Sequence, residues 1–114
     1  MSEFIMIFRG DKDQPKPSPE QMQQMVAQWQ NWIGNIAAQG KFVATNVLGF
    51  EGRTVNTEGI VSDGPYTELK EIIGGYLILR AENLDEAVSY TEGCPTLTGG
   101  GTTVEVRNIM PFEM

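Results

Sequence analysis

Asp63 is the residue of this chain best placed to do chemistry, because it stands in the run Ser62-Asp63-Gly64-Pro65-Tyr66, directly before an apolar segment. Gly64 tolerates positive φ and Pro65 fixes its own φ, so the chain is expected to reverse here. A carboxylate at a strand end, partly shielded by Tyr66, could act as a general base. An aspartate before Gly-Pro more commonly accepts hydrogen bonds from amides of its own turn. Both interpretations of Asp63 are open.

A second set of polar side chains could complete a small-molecule site around that carboxylate. Arginine and lysine would hold an anionic substrate, a carboxylate would move a proton, and a tyrosine hydroxyl would donate a hydrogen bond. The predicted ligand-binding residues are Arg9, Tyr66, Glu68, Lys70 and Arg80. Charges between a turn and a strand more often form a solvated surface, and the ring of Tyr66 could simply pack at the rim of the fold.

Other kinds of active site are excluded by residue types. The 114 residues include no histidine and a single cysteine, so neither a nucleophile–base pair nor a zinc site of the usual kinds can be assembled. The glycine-rich segment 99–101 lacks the lysine of a phosphate loop and precedes a strand. We therefore predict no metal and no cofactor. Cys94 is interpreted as a small buried residue beside a helix end.

Composition restricts the partners. A net charge of -7 and a pI near 4.4 argue against direct binding to nucleic acid or to an anionic membrane surface. No apolar run is long enough for a membrane span, and the first residues lack the basic leader of a signal peptide. The chain is interpreted as a single cytoplasmic domain covering residues 1–114.

The longest helix is predicted to begin at Ser18, with Pro19 at the first helical position and Gln21 completing a capping box. Its end is predicted at Gly40. Helical spacing gives one apolar stripe of Met22, Met25, Val26, Trp29, Trp32, Ile33 and Ile36. Core packing is the expected role of both tryptophans, and Gly34 suggests close packing at its turn.

The other elements are predicted from shorter patterns. Apolar or alternating runs indicate strands at residues 3–8, 42–48, 72–81 and 102–109, and a small hairpin at 53–55 and 60–62. Gly74 and Gly75 predict a bulge or a point where another backbone packs closely. Asn83, with Glu86 three residues later, caps a short second helix, and residues 96–101 are interpreted as a loop. Glu105 and Arg107 are expected to be cross-strand charge partners.

This order of elements predicts an α+β fold, a ferredoxin-like βαββαβ two-layer sandwich with an antiparallel sheet and a small extra hairpin. Two helices can cover only one face of the sheet, whereas the first strand and the 72–81 strand carry apolar side chains toward both. A second copy that packs on the open face would cover it, so we expect a homodimer through the sheet face.

The chain also resembles a known family. The matching motifs are Asp63-Gly64-Pro65-Tyr66, Glu68, Lys70-Glu71, Gly74-Gly75-Tyr76, Leu84-Asp85-Glu86-Ala87 and Val104-Glu105-Val106-Arg107. They are similar to those of the YCII-related family, whose hallmark is Asp-Gly-Pro-Phe; Tyr66 stands where phenylalanine is usual. The resemblance implies a ferredoxin-like domain that dimerises into an α+β barrel. Some relatives use a His-Asp pair in small-molecule chemistry, which this histidine-free chain cannot reproduce.

Two function classes follow from these observations. The first is a non-catalytic dimeric module that binds a small metabolite or a protein partner in a regulatory or accessory role. The alternative is a cofactor-free enzyme that performs isomerase-type or lyase-type acid–base chemistry on a small polar or aromatic compound. In that alternative, Asp63 is the base and Arg9 or Lys70 holds the anion.

Overall fold

The chain contains six strands and three helices in the computed structural model, which describes residues 1–11, 13–65 and 71–112. The strands are β1 (Ser2–Asp11), β2 (Phe42–Val47), β3 (Arg53–Val55), β4 (Val61–Asp63), β5 (Glu71–Ala81) and β6 (Thr103–Asn108). The helices are α1 (Pro19–Ala38), α2 (Leu84–Ser89) and α3 (Pro95–Thr98). The tyrosine, glutamate and lysine predicted at positions 66, 68 and 70 lie outside these ranges.

Four strands form one antiparallel sheet in the order β2-β5-β1-β6, and β3 pairs with β4 in a separate two-stranded hairpin. Leaving the hairpin and the four-residue α3 aside, the element order is strand, helix, strand, strand, helix, strand, with the first strand inside the sheet. The predicted α+β class and the ferredoxin-like order are therefore confirmed. Within the described ranges, every helix is too short or too polar to serve as a transmembrane span.

One face of the sheet packs against the helices and forms the core. Strand side chains alternate between faces, and Leu77 and Leu79 of β5 have no exposed surface. The buried cluster consists of Phe4, Met6, Phe8, Trp32, Ile36, Leu77, Leu79, Ala81, Ala87 and Cys94. The ring of Phe8 meets Trp29 and Trp32 edge to face, at centroid distances of 5.0 and 5.9 Å. The predicted core role of both tryptophans is confirmed.

The start of α1 follows its sequence signals closely. The Ser18 hydroxyl accepts a hydrogen bond from the Gln21 amide at 3.2 Å, and the Gln21 side chain accepts one from the Ser18 amide at 2.9 Å. Pro19 occupies the first helical position, where its missing N–H has no helical partner to lose. The predicted capping box is therefore confirmed.

The apolar stripe of α1 is buried only in its second half, which corrects the expectation from spacing. Met22, Met25 and Val26 are 37–49% exposed, whereas Trp32 and Ile36 are buried. A helix of 20 residues is about 30 Å long, and both of its buried residues, Trp32 and Ile36, belong to its second half. The close packing expected at Gly34 was also wrong, because an added Cβ there would meet nothing within 4 Å.

The later elements give one confirmation and one correction. The Asn83 side chain accepts a hydrogen bond from the Glu86 amide at 2.8 Å, so the predicted cap of α2 is present. Residues 96–101 were expected to form a loop, but the helix α3 occupies the first part of that segment. Its four residues open on a proline, which is a favourable first helical residue, and it ends at Gly99.

The paired glycines of β5 mark both features that the sequence predicted there. The register between β1 and β5 shifts so that Phe8 lies opposite Gly75 while Arg9 lies opposite Ile73, which leaves Gly74 as the extra residue of a bulge. A Cβ added to Gly75 would lie 2.9 Å from the carbonyl oxygen of Asn46. Glycine is therefore required at position 75, because β2 runs directly against its backbone.

Candidate functional site

The face of the sheet turned away from the helices has an apolar centre. Ile5 of β1 lies directly opposite Ile78 of β5, and Ile7 lies opposite Tyr76. These four side chains are half-buried, and the helices lie on the other face of the sheet. The Asn46 side chain donates a hydrogen bond of 2.9 Å to the Tyr76 hydroxyl at the β2 side. We call this surface the open face.

Charged residues lie around the apolar centre of the open face. Arg9 donates a hydrogen bond of 2.6 Å to the carboxylate of Glu105, which also lies 4.0 Å from Arg107. The Arg9–Glu105 pair joins two strands, as expected for Glu105, whereas the described partner of Arg107 is Glu105 of its own strand. Because both side chains of the short pair are partly sheltered, their attraction is screened less than that of a fully exposed pair.

Arg80 lies at the other end of the same face. Its guanidinium is 3.8 Å from the carboxylate of Glu3, the residue opposite it on β1. Arg9 of β1 lies opposite Ile73, and Ile73 and Arg80 both belong to β5. At about 3.3 Å per residue along β5, the two arginines are separated by about 20 Å. A single small ligand cannot contact both arginines of one chain.

Asp63 ends β4, at the base of the separate hairpin. Gly64 follows with a φ of +84°, and its amide donates a hydrogen bond of 2.7 Å to the carbonyl of Gly52 on the opposite arm. The turn therefore has the positive φ that the sequence predicted for it. The side chain of Pro65 packs 3.5 Å from the position of a Cβ on Gly52. These contacts fix the conformation of the backbone beside Asp63.

The Asp63 carboxylate itself is fully exposed. Its nearest described partner is Arg53, 3.7 Å away across the hairpin, and that side chain is also largely exposed. Such a pair contributes little to stability because water screens it. Sequence reasoning did not single out Arg53, although a hairpin register that pairs 53 with 63 would have indicated it.

The predicted site residues are thus distributed over two places. Within the described ranges, Arg9 and Arg80 lie at opposite ends of the open face, and Asp63 lies on the hairpin, each beside a different charged partner. The residues at positions 66, 68 and 70 belong to the same prediction and lie outside the described residues. A single ligand site that joins this whole set stays a prediction.

Two open cavities lie elsewhere on the surface. One of about 510 Å³ lies between the start of β1, the start of α2 and the end of β6, and includes Phe4, Leu84 and Ile109 in its lining. The other, of about 390 Å³, lies between α1 and the end of α2 and includes Trp32 and Tyr90. Neither is lined by the arginines or the aspartate of the predicted site.

Cys94 has no features of a reactive thiol. It precedes α3 and has no exposed surface, as its interpretation as a buried residue beside a helix end predicted. Burial raises the pKa of the Cys94 thiol above its ordinary value, and hydrogen bonds to Thr96 and Leu97 oppose that shift only in part. At neutral pH the thiol keeps its proton, so it is a poor nucleophile.

Two comparisons of the sequence with known proteins identify relatives of this chain. The model of the YCII-related domain family matches residues 4–113. An uncharacterised protein of Rhizobium meliloti (strain 1021) is 30% identical over an alignment of 88 residues, and the match covers 68% of this chain and 71% of that protein.

Two solved structures are similar at lower identity. One is 5-chloro-2-hydroxyhydroquinone dehydrochlorinase (TftG) from Burkholderia phenoliruptrix AC1100 in complex with 2,5-dihydroxybenzoquinone, with a TM-score of 0.48 and 23% identity over 94% of this chain and 93% of that chain. The other is At3g17210 from Arabidopsis thaliana, with a TM-score of 0.45 and 16% identity over 100% and 98% of the two chains. Because the family model matches nearly the whole chain, the chain belongs to the YCII-related domain family.

Proposed function

We propose that this chain works as a homodimeric binding module whose two copies meet through the open face of the sheet. The observation that carries the proposal is the apolar centre formed by Ile5, Ile7, Tyr76 and Ile78, which the helices of the chain leave uncovered. Removing such side chains from water stabilises an assembly by about 25 cal/mol per Å² of apolar surface. A second copy offers the same surface, as a two-fold interface requires.

The charged margin of the open face supports the second part of the proposal, which is that the module binds a small anionic or polar metabolite. Arg9 and Arg107 both lie beside the single carboxylate of Glu105, so this corner has two cations for one anion. In a dimer the corner would be partly removed from water, and a ligand carboxylate or phosphate would be held more strongly there. The role would be regulatory or accessory.

The dimer is tested by sedimentation velocity at micromolar concentration. We expect a dimer for the unmodified chain and a folded monomer for Ile78→Lys, because a lysine at the centre of the open face would bury an unpaired charge in the interface. The matched control is Val88→Lys, on the exposed side of α2, which should stay dimeric. A well-folded monomer for the unmodified chain would refute the proposal.

Ligand binding is tested by a thermal-shift screen of small anionic and polar metabolites. A ligand that binds only the native state must raise the melting temperature. The shift produced by a true ligand of the charged corner should be lost in Arg9→Gln and kept in Lys16→Gln, whose exposed lysine lies before α1. A screen without any hit would count against metabolite binding and in favour of a protein partner.

The enzyme alternative, with Asp63 as the base, is the narrower proposal. It has less support within one chain, because the carboxylate is fully exposed beside Arg53. Its test is Asp63→Asn with any compound found by the screen. Product formation that the unmodified chain supports and the variant does not would establish the catalytic role, whereas binding without turnover in both proteins would exclude it.

A further inference from the structure

We call the separate hairpin, which consists of β3, β4 and the turn between them, the finger. Its turn is held by the Asn56 side chain, which accepts hydrogen bonds from the amides of Glu58 at 3.0 Å and Ile60 at 2.9 Å, while Gly59 takes a φ of +79°. Because these contacts are local, they set the conformation of the turn between the two strands.

One face of the finger carries an apolar pair and a charged pair of side chains. Val55 lies opposite Val61, and Arg53 lies opposite Asp63. Residues two apart on a strand share a face, so both pairs point the same way. The valines are 62% and 54% exposed, and Ile60 beside them is 56% exposed. An apolar patch therefore lies immediately beside the Asp63 carboxylate, and any surface that covers the patch also covers the carboxylate.

A finger of this size gains little from its own pairing. Two strands of three residues, paired only with each other, are marginal in water unless they pack on something further. Val55 and Val61, the aliphatic pair on this face, are each more than half exposed, so the face has apolar surface available for packing. The finger therefore has an apolar face that is available for contact with another surface.

The dimensions of the chain indicate what it docks on. The structure is a slab of 48 × 44 × 19 Å with a radius of gyration of 15.6 Å, whereas a compact domain of this length has about 13 Å. The open face, formed by strands of 10, 6, 11 and 6 residues, has a footprint of about 520 Å² at about 3.3 Å per residue and about 4.8 Å per strand. A stable interface buries about 800 Å² per partner. The finger supplies further contact surface.

We infer that the finger of each copy packs on the second copy, and that it carries Asp63 onto the partner's surface. Any site that uses this aspartate would then be shared by two chains, with Asp63 from one copy and its ligand-holding groups from the other. This arrangement also accounts for the separation of Asp63 from Arg9 and Arg80 within one chain. The inference rests on the proposed dimer.

The first test measures the dimer dissociation constant of the double variant Val55→Ser, Val61→Ser by sedimentation. Loss of two buried valines should weaken the dimer by about tenfold or more. The matched control is Val88→Ser on α2, a valine of similar exposure, which should stay within about twofold of the unmodified chain.

The second test uses only the unmodified chain and Ile78→Lys, so it does not depend on the folding of the finger variant. Amide hydrogen exchange of residues 55–61 should be slower in the dimer than in the monomeric variant, by about tenfold or more. A dimer whose finger exchanges at the monomer rate, or whose affinity the double variant does not change, would overturn the inference and leave the proposed dimer intact. A monomeric unmodified chain would refute both.

Discussion

Arg9 donates a hydrogen bond of 2.6 Å to the carboxylate of Glu105, and so joins β1 to β6 across 96 positions of the chain. Glu105 also lies 4.0 Å from Arg107. The carboxylate therefore holds two guanidinium groups at one corner of the open face. A ligand anion that binds this corner must compete with Glu105 for Arg9, which makes the short pair a determinant of both stability and affinity.

Replacing this carboxylate should weaken the fold modestly. Glu105→Gln is expected to lower the free energy of unfolding by about 0.5–1 kcal/mol, since the pair is short but partly exposed. Urea denaturation at fixed protein concentration measures the loss, which should shrink in 1 M salt because exposed charges are screened. Arg107→Gln, which removes only the 4.0 Å contact, is the comparison and should change stability less.

The glycines of α1 and β5 should respond to alanine in opposite directions. Gly34→Ala is expected to stabilise the fold by about 0.5–1 kcal/mol, because the helix gains propensity and the new methyl group meets nothing within 4 Å. Gly75→Ala should destabilise it by about 1–3 kcal/mol, because its Cβ would lie 2.9 Å from the Asn46 carbonyl oxygen. Denaturation midpoints of the two variants give the result, and a stable Gly75→Ala would contradict the close approach of β2.

The two halves of the α1 stripe should differ strongly in cost. Ile36→Ala removes a buried side chain and is expected to cost about 2–5 kcal/mol. Met22→Ser lies on the exposed half and should change stability by about 0.5 kcal/mol or less. Equal losses in urea denaturation would show that the first turns of α1 are covered in solution.

Stability should fall in alkaline solution because of Cys94. Burial raises the pKa of its thiol above the ordinary value of 9.0, so the folded chain keeps a proton that the unfolded chain releases. The folded state then binds more protons, and the free energy of unfolding decreases as the pH rises from about 9 toward the folded-state pKa. Urea midpoints from about pH 7 to about pH 10.5 test this.

The control for this titration is Cys94→Ala, which lacks the thiol. Tyrosine and lysine titrate in the same alkaline range, so the informative quantity is the difference between the two proteins. The stability difference between them should be constant at neutral pH and shrink above about pH 9. Parallel curves over the whole range would contradict the raised pKa.

Sequence reasoning succeeded where a structure depends on near neighbours. The capping box at Ser18 and the cap at Asn83 each involve residues three positions apart, the positive φ at Gly64 depends on that residue and its neighbours, and all three are present. The glycine pair of β5 was also interpretable, because a glycine inside an apolar strand indicates a bulge or a closely packed backbone.

It was limited where the outcome depends on the lengths and register of distant elements. The exposure of Met22 depends on which turns of α1 the other elements cover, which no local pattern reports. The pairing of Arg9 with Glu105 requires the register of β1 on β6. The helix α3 was missed because four residues are too few to show a period.

The central place of β1 affects how the molecule is made. This strand leaves the ribosome before the rest of the sheet, yet its neighbours are β5 and β6, with Ser2 opposite Ala81. A growing chain therefore carries an unpaired apolar strand until most of the domain has been translated. Sheets closed by such distant partners form slowly, and during that interval the nascent β1 is a natural client for a chaperone.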